Sequence, residues 1–264
     1  MNVPIIDRQT ALLRKLVRNI NVKEYIEFGC GEGHNLKTLS DMGLSGIGID
    51  FSSKALEIAR RKKLVNTKLL EKDFMQAEID CLNTDLVVLL FVLEHIENDD
   101  KALEILNSRI NNNGYLILSI PAHEILYSSQ DKIVGHYRRY NRETIISKLE
   151  KYNFNVEIIQ CFGFPVANLY TKLYNIYLSK IIKINTTNIF FQNTPISGIR
   201  LEKSHFPKII SNISNFFYPV ISQIIKSDTL FLNYDLGTHY IILARKYCDI
   251  INEDSEKPKL TFLS

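Results

Sequence analysis

The segment YIEFGCGEGHNL, residues Tyr25 to Leu36, carries the clearest structural signal in the sequence. An apolar run leads into three glycines at alternate positions, Gly29, Gly31 and Gly33, and a helical pattern follows them. A strand that opens into a helix through glycines lets a ligand approach the bare backbone. The stretch therefore predicts a strand, a ligand-binding loop and a helix in succession.

The same strand-and-helix pattern alternates five times between residues 23 and 164. Such alternation is typical of an α/β protein with a doubly wound parallel sheet. In these sheets ligands bind beyond the carboxyl ends of the strands, so the strand-ending residues are the first candidates for chemistry. For the first five predicted strands these residues are Gly29, Asp50, Asp73, Phe91 and Pro121.

Composition sets broad limits on the class of protein. The 264 residues, 45% of them hydrophobic, allow one domain with a sizeable insertion. A net charge of +3 is too small to indicate nucleic-acid binding by itself. The four cysteines form no CxxC pair, which favours a reducing, cytoplasmic location over a disulfide framework. Neither a signal peptide nor a membrane-spanning run is expected.

The glycine spacing indicates which ligand to expect. It is GxGxG, whereas a dinucleotide site requires GxGxxG. Glu27 precedes the first glycine by two residues. A carboxylate there would repel a pyrophosphate and attract a cation, so the spacing disfavours NAD-type cofactors and a dehydrogenase.

The ends of the second and third strands complete the predicted ligand. Asp50 lies 21 residues after Gly29, where a carboxylate can accept both hydroxyls of a ribose. Phe51 can cover an adenine face, and Asp73, beside Phe74, can accept from the adenine amino group. A ligand with a ribose, an adenine and a positive charge is S-adenosylmethionine.

The segments EFGCGEG, GIGID, EKDF and FVLEHI resemble the class I S-adenosylmethionine-dependent methyltransferases. The resemblance covers residues 20–165, and THYIILARK resembles the family's last strand. It implies a Rossmann-like seven-stranded sheet whose last strand is antiparallel and inserted between the fifth and sixth. The residue patterns and the resemblance together predict these cofactor-binding residues: Glu27, Gly29, Gly31, Gly33, Asp50, Phe51, Asp73, Phe74 and Phe91.

His95, just past the fourth strand, is the first candidate for catalysis. A neutral imidazole there can take a proton from a hydroxyl, although it can equally bond its neighbouring loop. Quinone-type O-methyltransferases of the family hold a metal with the pattern E-V-L-E-H in this loop. Here Phe91 stands at the first Glu position, so no metal is predicted.

The second candidate region is PAHEILYSSQDKIVGHYRRY, residues 121–140, which follows the fifth strand. It resembles a stretch in a broad group of bacterial methyltransferases, here a subgroup with a GHYRRY-like loop. His136, Tyr137 and Arg138 are expected to line the acceptor site, His136 as a base and the arginine as an anion grip. The alternative is a structural role for each. His34, His123, His205 and His239 have no supporting context and are expected to be structural.

The predicted domains are residues 1–164 with 237–248, and a helical, basic-aromatic insertion at residues 165–236. Residues 165–226 hold seven Lys or Arg and one acidic residue, Glu202. Three hypotheses stay open for the insertion: a lid over the acceptor, a packed helical pair or homodimer contact, and a surface for an anionic membrane. The membrane hypothesis uses Lys172, Lys180, Lys183, Lys203 and Lys208.

The sequence thus predicts an enzyme that methylates oxygen or nitrogen of a small, lipid-like or glycan-linked acceptor, in the cytoplasm or peripherally on the inner membrane face. DNA is not an expected partner. One alternative is RNA methylation. Many methyltransferases that act on amino groups of nucleic acids carry a DPPY-like or NPPY-like tetrapeptide after the fourth strand. This chain has FVLE at that position, which argues against the alternative. Another is a non-catalytic, S-adenosylmethionine-binding partner subunit.

Overall fold

The computed structural model describes residues 4–76, 83–169, 172 and 227–247. In this part of the chain the α-helices are α1 Pro4–Arg18, α2 His34–Asp41, α3 Ser53–Arg60, α4 Asp99–Ser108, α5 Ser129–Val134 and α6 Arg142–Lys151. The strands are β1 Glu24–Phe28, β2 Ser45–Asp50, β3 Thr67–Glu71, β4 Thr84–Leu90, β5 Ile110–Pro121, β6 Phe154–Phe162 and β7 His239–Lys246.

The seven strands form one sheet in the order β3-β2-β1-β4-β5-β7-β6. β1 to β5 pair in parallel, whereas β7 runs antiparallel to both β5 and β6. The predicted sheet, with its last strand antiparallel and inserted, is therefore confirmed. Because β2, β1 and β4 are neighbours, their carboxyl ends meet at one edge.

The core lies on both faces of the sheet. Val87 of β4 packs into one apolar cluster with Phe28, and Val88 packs into the other with Leu36. All of these side chains are fully buried. Alternate residues of a central parallel strand face opposite sides, which explains the unbroken apolar run of β4. Burying each such side chain stabilises the fold by about 1.5–3 kcal/mol.

The structure differs from the sequence prediction in the bounds of some elements and in one added helix. β3 ends at Glu71, so Asp73 lies in the loop beyond the strand rather than at its end. β5 begins at Ile110, ahead of the apolar stretch GYLILSIPA from Gly114 onward that indicates this strand in the sequence. The stretch after β5 contains a helix, α5, because the side chains of Ser128 and Asp131 cap its N-terminus reciprocally.

Most of the predicted insertion at residues 165–236 lies outside the described residues. The helical pair, the lid, the dimer contact and the membrane surface therefore stay predictions. Within it, Ser227–Phe231 form a 3₁₀ turn in which Asp228 is fully buried. Among the described helices, none has both the length and the apolar character needed to cross a bilayer.

Candidate functional site

Residues 29–33, the glycine loop, follow β1 in the conformation that the sequence predicts. Gly29 and Gly33 have φ of +66° and +72°, in the region that disfavours side chains. A Cβ on Gly29 would lie 2.4 Å from Cγ2 of Val92, which follows β4. The glycine loop therefore packs directly against the turn beyond β4.

Asp50, at the end of β2, is held against the glycine loop. The Gly31 N–H donates to its Oδ2 at 2.7 Å, and the Ser52 N–H donates to its Oδ1 at 2.8 Å. Burial raises the pKa of Asp50, and the two backbone donors partly offset this. Each carboxylate oxygen keeps a second lone pair for a ligand.

Glu27 lies beneath the glycine loop and is 1% exposed. Asn35 Nδ2 donates to its Oε1 at 3.2 Å, whereas its Oε2 has no hydrogen-bond partner among the described residues. Burial, aided by the nearby Asp50, raises the pKa of Glu27 to about 8. An orphaned buried carboxylate oxygen is the kind of group that a cationic ligand satisfies.

The aromatic residues predicted for the cofactor site occupy different environments. Phe51 is 44% exposed beside Asp50, where it is free to cover a ligand. Phe74 instead packs its ring 4.8 Å from that of Phe28 and belongs to the core. Asp73 accepts from the Met75 N–H at 2.9 Å, which shapes the loop that carries it. Phe91, at φ +57°, places its ring 5.0 Å from that of His239.

The turn beyond β4 and the stretch after β5 bring together three side chains, Glu94, His95 and His136, which we name the histidine cluster. Their candidate ligand atoms lie within 4.8 Å of one another. The rings of His95 and His136 are 4.7 Å apart, edge to face. His136 Nε2 lies 3.9 Å from Glu94 Oε1. Sequence analysis singled out both histidines, and Glu94 joins them here.

Residues 121–140, the acceptor loop, are fixed from within by Asp131. Its Oδ1 accepts from His136 Nδ1 at 2.8 Å and from Arg139 Nε at 2.9 Å. Although burial opposes it, hydrogen bonds from these two side chains lower the pKa of Asp131 to about 2. Asp131 was missed by sequence analysis, but the S-x-x-D pattern from Ser128 is the capping signal that indicates it.

Tyr137 and Arg138 have different surroundings from each other. Tyr137 is 53% exposed, and its N–H donates to the Glu94 carbonyl at 2.8 Å. Arg138 Nη1 lies 2.7 Å from the buried Asp99, and its Nη2 donates to the Glu97 carbonyl at 2.6 Å. These bonds tie Arg138 to the turn beyond β4, which favours positioning of the acceptor loop over the predicted anion grip.

Burial shifts the pKa values of His95, Glu94 and His239. It lowers the pKa of His95 to about 4 and raises the pKa of Glu94 to about 8. His239, expected to be structural, stacks beside Phe91 and Phe162, and burial lowers its pKa to about 3. At neutral pH, His95 and His239 are therefore uncharged.

A cavity of about 340 Å³ lies beside the acceptor loop. Three tyrosines, Tyr127, Tyr137 and Tyr140, line it together with charged side chains, among them Asp99, Glu124, Arg138 and Lys148. Ile125 and Leu126, which directly precede Tyr127 in the sequence, are exposed. The cavity lining is therefore mixed, with aromatic and charged side chains.

Known proteins share both the sequence pattern and the fold. The family model described as a methyltransferase domain matches residues 6–158, more than half of the chain. An uncharacterised methyltransferase of Oceanobacillus iheyensis is 26% identical, over 61% of this chain and 82% of the relative. The mitochondrial ubiquinone biosynthesis O-methyltransferase of Schizosaccharomyces pombe is 30% identical, over 48% of this chain and 47% of that protein.

Among solved structures, a methyltransferase of Bacillus halodurans superposes with a TM-score of 0.59 at 14% identity, covering 90% of this chain and 98% of that one. The N-methyltransferase NodS of Bradyrhizobium japonicum, solved with S-adenosyl-L-homocysteine, superposes with a TM-score of 0.52 at 23% identity, covering 63% and 83%. At these identities the likeness shows the fold. Together with the family match, it shows that the chain belongs to the class I S-adenosylmethionine-dependent methyltransferases.

Proposed function

We propose that this methyltransferase acts on an oxygen or nitrogen atom of a small, lipid-like or glycan-linked acceptor that binds beside the histidine cluster. One observation carries the proposal. Val92 packs against Gly29, so the turn that bears Glu94 and His95 lies directly beside the glycine loop. Groups able to activate an acceptor therefore adjoin the predicted cofactor site.

The described residues fit S-adenosylmethionine on two counts. The free lone pairs of Asp50 can accept the ribose hydroxyls. Glu27, whose pKa of about 8 keeps it protonated at neutral pH without a ligand, can ionise beside a cationic group and pair with it through its orphaned Oε2. When bound, the cofactor supplies a methyl group on a positively charged sulfur, which keeps the bonding electron pair as the methyl leaves. Gly31, Gly33, Phe51, Asp73 and Phe91 surround the same edge in this proposal.

The chain's contribution is to hold the acceptor and to deal with its proton. The Nδ1–H groups of His95 and His136 donate to Gly135 O and to Asp131, at 3.2 Å and 2.8 Å. In the neutral form of each ring this leaves the Nε2 atom with a lone pair, able to take a proton or to hold an electrophile that polarises the acceptor. Correct placement of the two reactants supplies several further kcal/mol of barrier lowering.

Oxygen is the favoured acceptor atom, and an apolar part of the acceptor fits the cavity. The support for oxygen is the curated relative named as an O-methyltransferase, of which this chain covers less than half. The support for an apolar part is the aromatic wall formed by Tyr127 and Tyr137. We also propose that the chain belongs to the subgroup with a GHYRRY-like loop, and the support for this is the sequence GHYRRY at residues 135–140.

The direct test is to incubate the chain with labelled S-adenosylmethionine and a fractionated cell extract, followed by mass spectrometry of whatever gains a methyl group. We expect labelling of a small or lipid-like molecule and at least 100-fold slower turnover for H136A, with cofactor affinity nearly unchanged. H123N is the matched control, because His123 lies outside the histidine cluster and has φ +63°, which Asn tolerates.

Three results would redirect the proposal. Label on RNA would favour RNA methylation, and cofactor binding with no labelled product would favour a non-catalytic partner subunit. An H136A variant that loses cofactor affinity but not turnover would show that the acceptor loop is not the acceptor site.

We extend the proposal to a cytoplasmic location with peripheral membrane contact through residues 165–226. Its support is the basic and aromatic composition of that stretch together with a lipid-like acceptor. Flotation with anionic liposomes tests it, and failure to float would remove the membrane contact while leaving the methyltransferase proposal in place.

A further inference from the structure

The histidine cluster assembles a carboxylate and two imidazoles from two separate segments of the chain. Glu94 and His95 lie on the 3₁₀ turn after β4, and His136 follows α5 in the acceptor loop. One candidate ligand atom of each lies within 4.8 Å of the others. The sequence prediction of no metal considered only the segment after β4, where Phe91 replaces a Glu. His136 was not considered there, because its approach depends on the fold.

Both imidazoles are oriented as metal-bound histidines usually are. His136 Nδ1 donates to the Asp131 carboxylate at 2.8 Å, and His95 Nδ1 donates to the Gly135 carbonyl at 3.2 Å. Such partners fix the tautomer and leave Nε2 free to ligate. Arg139 in turn holds Asp131 at 2.9 Å. The outer set of bonds that a metal site needs is therefore already present.

Glu94 supplies the carboxylate ligand, which gives up its proton when a cation binds. It is 1% exposed, and its Oε2 has no hydrogen-bond partner among the described residues. Its other oxygen lies 3.9 Å from His136 Nε2. Burying a carboxylate is costly unless a partner compensates it, and Arg139 already pairs with Asp131. A divalent cation between Glu94 and the two rings would provide that partner.

We propose that Glu94, His95 and His136 bind one divalent cation of the zinc type, with Asp131 as the residue that orients His136. Two nitrogens and one oxygen suit zinc better than magnesium or calcium. Three protein ligands leave a coordination position open. Ligands of a tetrahedral zinc lie about 3.3 Å apart, so we expect the side chains to draw closer on binding.

This inference rests on the proposed function and specifies how the acceptor is activated. An acceptor hydroxyl bound to the cation at the open coordination position would have a lowered pKa. The O–H bond then breaks, the proton passes to water, and the oxygen keeps the electron pair with which it forms the bond to the methyl carbon. The site would favour a hydroxyl acceptor, because a neutral amine with a free lone pair needs no such activation.

Cobalt(II) titration of the chelator-treated, tag-free chain tests the site without relying on activity, because a bound Co²⁺ gives visible absorption. We expect one Co²⁺ per chain, displaced by Zn²⁺. E94Q and H136A should weaken Co²⁺ binding at least 100-fold, and D131N about 10–100-fold. H123N should bind as the wild type does. Circular dichroism of each variant checks that the fold is retained.

Absence of saturable Co²⁺ binding in the wild type would overturn the inference, as would equal binding by a folded H136A or E94Q variant. Calorimetric titration with S-adenosylmethionine in excess chelator measures cofactor binding without any metal. It therefore distinguishes a failure of the metal site from a failure of the proposed function. Cofactor binding without Co²⁺ binding removes the metal alone. Full methyl transfer by the chelator-treated chain would overturn the role assigned to the cation in activating the acceptor.

Discussion

At the scale of single residues, the site depends on buried carboxylates that differ in their partners. Asp50 is held by two backbone N–H groups, whereas Glu27 has one oxygen bonded and the other without a partner among the described residues. Burial therefore raises the pKa of Glu27 to about 8. We attribute ribose recognition to Asp50 and attraction of the cationic end to Glu27.

The first prediction concerns Asp50. D50A should weaken S-adenosylmethionine binding at least tenfold, or about 1.4 kcal/mol, because the acceptor of both ribose hydroxyls is removed. Calorimetric titration measures this. D41A is the control, since Asp41 lies on α2 with an exposed side chain paired to Lys37. Equal cofactor affinity in D50A and D41A would refute the ribose assignment.

The second prediction concerns the pH dependence of stability through Glu27. Its pKa is about 8 in the folded chain against an ordinary value of 4.5, so folding favours the protonated form. The contribution of protonated Glu27 to the stability of the fold is complete below its ordinary pKa and is lost as the pH rises through about 8. E27Q stays neutral, so its free energy of unfolding should exceed that of the wild type by roughly 2–4 kcal/mol near pH 9.

Denaturant unfolding of E27Q and the wild type at about pH 5 and about pH 9 measures this difference. Glu94 titrates similarly in both proteins, so its effect cancels in the difference between their free energies of unfolding. A difference that does not grow with pH would show that Glu27 is ionised in the folded chain.

At the scale of elements, three short segments meet at one edge: the glycine loop, the turn after β4 and the acceptor loop. Their contacts are close, as the packing of Val92 over Gly29 shows. The glycine loop and Asp50 could be predicted because strand ends and glycine spacing are local features. The Asp131–His136 bond was missed although its capping pattern is also local. The approach of His136 to Glu94 depends on two loops folding together, which no local pattern specifies.

The third prediction uses two glycines with positive φ. In G29A the new Cβ would lie 2.4 Å from Val92 Cγ2, whereas in G43A it would meet nothing within 4 Å. Both variants incur the conformational cost of positive φ, about 1 kcal/mol. Only G29A should also lose cofactor affinity, at least tenfold, and destabilise the fold further. Calorimetry and thermal unfolding measure the two effects, and equal behaviour of the variants would contradict the packing described.

At the scale of the whole molecule, the inserted β7 joins distant parts of the chain to the site. It brings His239 beside Phe91, and neither residue's local sequence indicates that contact. Nearby, Arg8 of α1 pairs with the fully buried Asp228, which accepts from the Gly163 N–H at 3.0 Å. The ion pair thus ties α1, the end of β6 and the turn before β7 together. The overall topology was predictable by family resemblance, but these side-chain contacts were not.

The fourth prediction tests that ion pair. R8M should lower the free energy of unfolding by about 3 kcal/mol at neutral pH, because it leaves a buried carboxylate without its cation. R61M is the control, since Arg61 pairs with Glu57 on the surface, both side chains being more than half exposed. That change should stay within about 0.5 kcal/mol. Equal losses in the two variants would show that the Arg8–Asp228 pair does not hold these segments together.

The proposed function requires that the crevice beside the glycine loop accept a cationic adenosine derivative through Glu27 and Asp50. Parallel calorimetric titrations of the wild-type chain with S-adenosylmethionine and with NADH test this requirement. We predict saturable binding of one S-adenosylmethionine per chain and no measurable binding of NADH. Binding of NADH, or no binding of S-adenosylmethionine, would contradict the account.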